Sequence, residues 1–82
     1  MTELAIEHIA SEQRFVLQVE NASAVLEYRL RGSDIDFCHT FVPQEFRGKG
    51  LAEKLVRHGL AWAKAEQLNI RASCWYVQKF LR

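Results

Sequence analysis

The feature that most constrains this chain is a joint between two hydrophobic periodicities. Before residue 42 apolar and polar side chains alternate, as in a β-strand, and after residue 51 apolar residues recur at helical intervals. The joint itself reads VPQEFRGKGLA over residues 42–52. A chain that passes here from strand to helix presents the unpaired N–H groups of a helix N-terminus, which favour an anion.

Two glycines and two cations lie at this joint. Gly48 and Gly50 have no Cβ, so the backbone can come close to a bulky phosphate. Arg47 and Lys49 add positive charge at the same place. Ordinary turn glycines and loop cations are the alternative, but the position of all four at a helix start favours a diphosphate ligand.

Two common diphosphate motifs do not fit the joint. A Walker loop would need glycine where Pro43 stands, and Ser or Thr where Gly50 follows the lysine. A Rossmann fingerprint would need its third glycine at Glu53, and 82 residues are too few for that fold. The pattern that remains is Arg47-x-x-Gly50-x-Ala52.

Composition limits the class of protein. With 82 residues, 49% of them hydrophobic, the chain is predicted to form one domain over residues 1–82 with a modest core. The net charge of +1 argues against a nucleic-acid partner. No membrane span or signal-peptide core is recognisable, so we expect a cytoplasmic protein, either a monomer or a weak dimer. Cys38 and Cys74 are too far apart in sequence for a zinc or redox pair, and no metal site is predicted.

Hydrophobic patterning predicts five strands and two helices. The predicted strands cover residues 3–9, 15–20, 24–31, 35–42 and 69–73, and the predicted helices cover residues 48–67 and 74–82. Short turns predict that the first four strands form an antiparallel meander. The intervening helix predicts that the fifth strand lies parallel to the fourth.

Two details of this pattern are specific enough to test. In the fourth strand, strict alternation places Ile35, Phe37, His39 and Phe41 on one face and Asp36, Cys38, Thr40 and Val42 on the other. In the long helix, the apolar stripe consists of Leu51, Leu55, Val56, Gly59, Trp62 and Ala63. A glycine in that stripe predicts a close approach of helix to sheet.

Two segments resemble the smallest members of the GCN5-related N-acetyltransferase (GNAT) superfamily. They are HTFVPQEFRGKGLAEKLVRHGLAWA, residues 39–63, and SCWYVQKF, residues 73–80. That group typically reads H-T-x-V-P, then R-G-x-G-(I/L)-A, then C-x-(Y/F)-V. The resemblance covers the C-terminal half closely and the N-terminal half by strand pattern only. It implies an α+β GNAT fold: a mixed, mostly antiparallel sheet of about five strands, one long helix and a short C-terminal helix.

The resemblance also implies a function. Members of the superfamily transfer an acetyl group from acetyl-coenzyme A to an amine, and here the acceptor amine is unidentified. In that superfamily the fourth and fifth strands splay apart, and the pantetheine arm enters the gap. Carried over by position, the residues that would bind acetyl-coenzyme A are Val42, Arg47, Gly48, Lys49, Gly50, Leu51, Ala52, Cys74 and Tyr76.

Cys74 and His39 are the candidate catalytic residues. Cys74 falls at the start of the last helix, where a lowered thiol pKa would make it a nucleophile; the alternative is an inert, buried cysteine. His39 is a candidate general base for the amine, or a packed histidine bonded to the backbone. Thr40 is expected to bond the ligand or a neighbouring strand. Tyr76 is a candidate proton donor to the leaving thiolate, with aromatic packing as the alternative.

One departure keeps other functions open. The small group often has Glu where this chain has Phe41, which weakens the activation of an amine. A coenzyme A-binding or sensing module without transferase activity therefore remains an alternative. The other alternative is a partner-binding domain, for which joint exposure of Trp62 and Trp75 would argue. The acceptor pocket would be open or completed by a partner.

Overall fold

The protein is described by a computed structural model over residues 5–48 and 50–81. Its strands are β1 Ile6–Ile9, β2 Arg14–Val19, β3 Ala22–Arg31, β4 Asp34–Phe41 and β5 Asn69–Ala72. Its helices are α1 Leu51–Ala65 and α2 Trp75–Gln78, with 3₁₀ turns at Ala10–Glu12 and Gln44–Phe46. All seven predicted elements are confirmed, although both helices are shorter than predicted. The first two residues of the predicted first strand, residues 3 and 4, lie outside the described residues.

The strands form one sheet in the order β1-β2-β3-β4-β5. Neighbours from β1 to β4 are antiparallel, whereas β5 is parallel to β4. The meander follows from the short turns, for example the two-residue connection between the paired residues Val19 and Ala22. The parallel pair follows from the crossover through α1. The predicted mixed, mostly antiparallel sheet is confirmed.

Helix α1 covers one face of the sheet with an apolar stripe. Its buried residues are Leu51, Leu55, Val56, Gly59, Leu60 and Ala63. The predicted stripe is therefore correct except at its last turn, where Leu60 is buried and Trp62 is only half-buried. The sheet contributes most of the remaining core: Phe15, Leu17, Ala24, Leu26, Tyr28, Ile35, Phe37 and Val42.

Gly59 is where the helix comes closest to the sheet. A Cβ at this position would lie 2.8 Å from Leu26 Cδ2 and 3.1 Å from Phe37 Cε1. Because no side chain fits at the first of these distances without a shift of its neighbour, the glycine permits the close approach that its position in the stripe predicted.

Strand β4 contains a β-bulge that reverses its two faces. Thr40 pairs with Leu26 and His39 with Glu27, but Phe37 already pairs with Tyr28. One residue of β4, Cys38, is therefore extra, and its thiol donates to the carbonyl of Glu27 at 3.6 Å. An extra residue moves every following side chain to the opposite face of a strand.

The predicted faces of β4 are consequently wrong beyond Phe37. Thr40 lies opposite the buried Leu26, and Val42 is only 9% exposed, so both lie on the side that α1 covers. His39 and Phe41 are exposed and lie on the other side, the outer face of the sheet. Strict alternation failed because Cys38 gives no compositional sign of a bulge.

Candidate active site

A gap opens between β4 and β5 beyond the bulge. The two strands pair only from Asp34 with Asn69 to Phe37 with Ala72. The N–H of Cys74 then donates to the carbonyl of Phe37 at 3.1 Å, and the chain turns into α2. Within the described residues, β4 has no strand partner on this side after Phe37. Its free edge can therefore accept an extended ligand as an additional strand.

The N-terminus of α1 faces solvent without a side-chain cap from the described residues. Gly50 is the N-cap, with φ of 77°, and the first bond within the helix runs from the N–H of Lys54 to its carbonyl at 3.1 Å. The N–H groups of the three residues between them have no acceptor in the helix. A Cβ built on Gly48 or Gly50 would meet nothing within 4 Å, so both glycines border open space.

Arg47 is tied to the end of the preceding strand. Its Nε donates to the carbonyl of Val42 at 3.1 Å, which fixes the guanidinium beside the glycines. The two Nη groups make no hydrogen bond to the described residues. They remain as donors for an anion, and a guanidinium suits a phosphate because its donors form a planar fork.

These residues enclose one cavity of about 330 Å³, the loop cavity. It is lined by Val42, Phe46, Arg47, Gly48, Gly50, Leu51, Ala52 and Tyr76. All the residues predicted to bind acetyl-coenzyme A are in this set except Lys49, which lies outside the described residues, and Cys74. Phe46 was not predicted. Its sequence signal is an aromatic residue within an otherwise polar loop.

A second cavity of about 290 Å³, the thiol cavity, adjoins the first. Val42, Arg47, Ala52 and Tyr76 line both cavities. The residues that line only the thiol cavity are Thr40, Phe41, Cys74 and Trp75. The fold therefore brings the anion-binding loop and the candidate nucleophile to one continuous surface.

Cys74 is half-buried at the N-cap of α2. Its Sγ lies 3.6 Å from Thr40 Oγ1. Partial burial raises the pKa of the Cys74 thiol, but hydrogen bonds from the Val77 N–H, the Thr40 hydroxyl and the Tyr76 N–H outweigh burial and lower the pKa below its usual value. The lowered pKa agrees with the expectation for a thiol at a helix start and increases the thiolate fraction at neutral pH.

Tyr76 lines both cavities and stays protonated at neutral pH. Burial raises the pKa of the Tyr76 hydroxyl, the charge of Glu53 raises it further, and Arg57 opposes the rise. The ring packs between Trp75 and Phe80, with centroid distances of 5.9 and 5.4 Å. Packing and proton donation are compatible here, because the ring also borders the cavities.

The structure does not bring His39 into either cavity. Its exposed side chain lies on the outer face, the same face as Phe41, whereas Thr40 between them lies on the covered side. Trp62 and Trp75 are also separate. Trp62 is half-buried against His8 and Phe15, and Trp75 is exposed, so the joint tryptophan surface that would indicate a partner-binding domain is not formed.

A profile of the GCN5-related N-acetyltransferase family matches residues 14–82. This match covers most of the chain and includes the loop, α1 and Cys74. The chain belongs to the GCN5-related N-acetyltransferase family. The predicted resemblance is thus confirmed, and it extends through β2 and β3, where the sequence offered only a strand pattern.

Individual relatives agree with this assignment. Protein NATD1 of Bos taurus is 34% identical over 96% of this chain and 73% of its own length. Protein NATD1 of Homo sapiens is 33% identical over the same shares. The NMR solution structure of a GCN5-like protein from Staphylococcus aureus matches with a TM-score of 0.75 and 31% identity, over 99% of this chain and 80% of that chain. The acetyltransferase fold is therefore shown, and membership of the GNAT family supports an acetyltransferase activity.

Another cavity of this GNAT domain lies away from the glycine loop. A larger cavity of about 430 Å³ lies between β3, β4 and β5, lined by Arg29, Arg31, Asp34, Ile35, Asp36 and Arg71. It includes no glycine loop and no helix end. Among the described residues, no group of three or more His, Cys, Asp or Glu is placed to hold a metal ion, and no helix is long and apolar enough to cross a membrane.

Proposed function

We propose that this chain binds acetyl-coenzyme A at the loop cavity and transfers its acetyl group to an amine. The observation that carries the proposal is the continuity of two surfaces. The uncapped N-terminus of α1, with Arg47 beside it, opens into the same cavity system that leads to Thr40 and Cys74. A diphosphate suits the first surface because N–H groups and a guanidinium converge there.

The free edge of β4 supports the placement of the pantetheine arm. That arm contains two amide groups, and an extended chain of amides can pair with an unpaired strand edge. The edge runs from Cys38 to Phe41, between the loop and α2. Bound in this way, the ligand would extend from the phosphate-binding loop to the Cys74 thiol, where its thioester would lie.

The transfer requires one bond exchange. The amine nitrogen attacks the acetyl carbonyl carbon, a C–N bond forms, and the C–S bond breaks with both electrons going to sulfur. We assign to Tyr76 the proton that neutralises the leaving thiolate, because the raised pKa keeps its hydroxyl protonated. His39 lines neither cavity, so the proton that the amine loses passes to solvent.

Cys74 gives a second route to the same product. Its thiolate attacks the acetyl carbonyl, forms acetyl-Cys74 and releases the thiolate of coenzyme A; the amine then attacks acetyl-Cys74 and regenerates the thiol. The lowered pKa and the Thr40 hydroxyl favour the thiolate that this route needs.

Coenzyme A binding without transfer is the second candidate function. The specific observation in its favour is that no Asp or Glu of the described residues lines either cavity. Phe41 stands where the small GNAT group often has Glu, so neither cavity offers the amine a carboxylate of the described residues as a base.

The first experiment is isothermal titration of acetyl-coenzyme A into the wild type, Gly50→Glu and Gly32→Glu. Gly32 is the matched control: it also has a positive φ, of 57°, and open space around it, but it lies in the turn between β3 and β4. A carboxylate at Gly50 would occupy and repel the phosphate position, so we expect affinity to fall by about 30-fold or more, with Gly32→Glu unchanged.

Equal affinities for all three proteins, or no binding at millimolar ligand, would sink the proposal. Binding that depends on Gly50, with no release of coenzyme A in the presence of any amine, would instead support the second candidate. Release is measured as free thiol in the filtrate after the protein is removed.

A further inference from the structure

The thiol cavity has two exposed aromatic residues on its rim. Phe41 is 44% exposed and Trp75 is 71% exposed. Only two other large apolar residues are exposed in the described part of the chain, Leu30 and Leu81, and neither lines this cavity. A single exposed apolar side chain is ordinary, but two on the rim of one cavity next to a nucleophile indicate a binding surface.

The two rings reach this rim from different elements of the fold. The β-bulge at Cys38 turns Phe41 to the outer face, on the side of the gap away from α1. Trp75 is the first residue of α2 and directly follows Cys74. The two rings therefore come from the two elements that border the gap, and a ligand between them would reach the thiol cavity from the outer face.

The charge at this rim selects among amines. No Asp or Glu lines the thiol cavity within the described residues. The Lys79 ammonium lies 5.5 Å from the centroid of the Trp75 ring and 5.1 Å from that of Tyr76. Lys79 makes no ion pair with any carboxylate of the described residues. The rim is therefore aromatic, with the Lys79 ammonium over two of its rings.

We propose that Phe41, Trp75 and Lys79 form the acceptor subsite and that it takes a free aromatic α-amino acid. The aromatic side chain would stack on the rings, and the α-carboxylate would pair with the Lys79 ammonium. The α-amino group is then the nitrogen that faces the thiol cavity. This assignment deepens the proposed acetyl transfer and rests on it for the reaction, whereas binding of the amino acid is independent of acetyl-coenzyme A chemistry.

The same surface disfavours the other common amine acceptors. A polyamine would bring several positive charges to a rim that offers Lys79 and no carboxylate. An aromatic amine without a carboxylate would keep the stacking but lose the ion pair. Comparing an aromatic amino acid, an aromatic amine and a polyamine therefore tests two contacts separately: stacking on the aromatic rim and the ion pair with Lys79.

Binding can be measured by the fluorescence of Trp75. In a Trp62→Phe variant, Trp75 is the only tryptophan. We would titrate L-phenylalanine, 2-phenylethylamine and spermidine into this protein, with and without coenzyme A. The expected order is L-phenylalanine tightest, 2-phenylethylamine weaker by about 5- to 10-fold, and spermidine without saturation. The single variant Trp75→Phe, which keeps Trp62, checks the origin of the signal. The fluorescence change on adding L-phenylalanine must vanish in this variant.

Matched variants assign the contacts. Phe41→Ala is expected to weaken L-phenylalanine by about tenfold, and Leu30→Ala, an exposed apolar residue outside the cavity, is expected to leave it unchanged. Lys79→Gln is expected to weaken L-phenylalanine but not 2-phenylethylamine, whereas Lys64→Gln on α1 weakens neither.

Three outcomes would overturn the proposal: no saturable change with L-phenylalanine, equal affinity for 2-phenylethylamine, or tighter binding of spermidine. Failure of acetyl-coenzyme A to bind in the calorimetric experiment would overturn the proposed function alone. Because the amino acid is measured by Trp75 fluorescence, the two failures are distinguishable.

Discussion

Similar residues lie in opposite environments near the two ends of α1. At its C-terminal end, Trp62 packs edge-on against His8 at 4.5 Å, and His8 stacks on Phe15 at 4.1 Å. The His8 Nε2 is 2.6 Å from the Tyr28 hydroxyl. Trp62, His8, Phe15 and Tyr28 form what we call the closed cluster. Their rings pack on one another, and His8 and Tyr28 share a hydrogen bond. At the N-terminal end, Trp75 is exposed and the neighbouring cavities are open to solvent.

Residue type alone does not identify a site in this molecule. His8 and Cys74 both have a lowered pKa, but for different reasons. Burial lowers the pKa of His8, and the nearby positive charge of His58 adds to the effect. For Cys74 hydrogen bonds to the sulfur overcome burial and favour the charged form. The closed cluster thus disfavours the charged form of His8, whereas the open end favours the thiolate of Cys74, which is the form a nucleophile requires.

The largest effect that separates the two ends is expected from their tryptophans. Trp62→Ala removes a ring from the closed cluster, so we expect the free energy of unfolding to fall by about 2–3 kcal/mol. Trp75→Ala removes an exposed ring and is expected to change it by less than about 0.5 kcal/mol. Urea unfolding followed by far-ultraviolet circular dichroism measures both. Equal losses in the two variants would contradict the distinction.

Sequence patterns predicted most of this architecture. Alternation and short turns gave the meander, the helical stripe gave α1, and the crossover gave the parallel β5, because each depends on local periodicity. The glycine loop was predictable for the same reason, since Arg47, Gly48 and Gly50 mark a helix start by residue type. All three line the loop cavity, and their binding of a diphosphate stays a prediction.

The faces of β4 beyond the bulge could not be predicted in this way. Ile35 and Phe37 have the same parity as His39 and Phe41, whereas the buried Val42 has the opposite parity. A strand can bury either the odd-numbered or the even-numbered residues. Which set is buried beyond Phe37 depends on the pairing of β4 with β3, which is a tertiary property. The bulge is therefore what brings Thr40 to Cys74 and leaves His39 on the outer face.

A smaller effect is expected where Thr40 meets Cys74. In a Cys38→Ser background, Cys74 is the only thiol, and Thr40→Val removes the hydroxyl with little change of shape. Loss of one hydrogen bond to the thiolate raises the Cys74 pKa, so alkylation by iodoacetamide at neutral pH should slow by about 3- to 10-fold.

The pH dependence of the alkylation rate distinguishes this effect from a change of access. A raised pKa moves the midpoint of the rate profile to higher pH and leaves the plateau at high pH unchanged. Thr40→Ser, which keeps a hydroxyl, is expected to restore most of the wild-type rate. A lower plateau with an unmoved midpoint would show that Thr40 only shapes the cavity.

The smallest effect is expected from pH and belongs to the closed cluster. The pKa of His8 is lowered below 6.5 in the folded protein, so on acidification the unfolded chain takes up this proton first. The contribution of His8 to the free energy of unfolding is therefore complete above pH 6.5. It is lost as the pH falls through the pKa of His8 in the folded protein. His8→Phe keeps a ring against Phe15 and Trp62 and removes the titration, so the variant should lose less stability on acidification.

Urea unfolding at about pH 7.5 and about pH 5 measures the difference between wild type and variant. His39→Gln is the control, because His39 is exposed and outside the cluster. Cys74 also has a lowered pKa, but its contribution is complete only above pH 9.0 and is lost as the pH falls through its folded pKa. The part of the loss between neutral pH and pH 5 that disappears in His8→Phe therefore belongs to His8. An identical loss in His8→Phe would mean that burial of His8 does not control it.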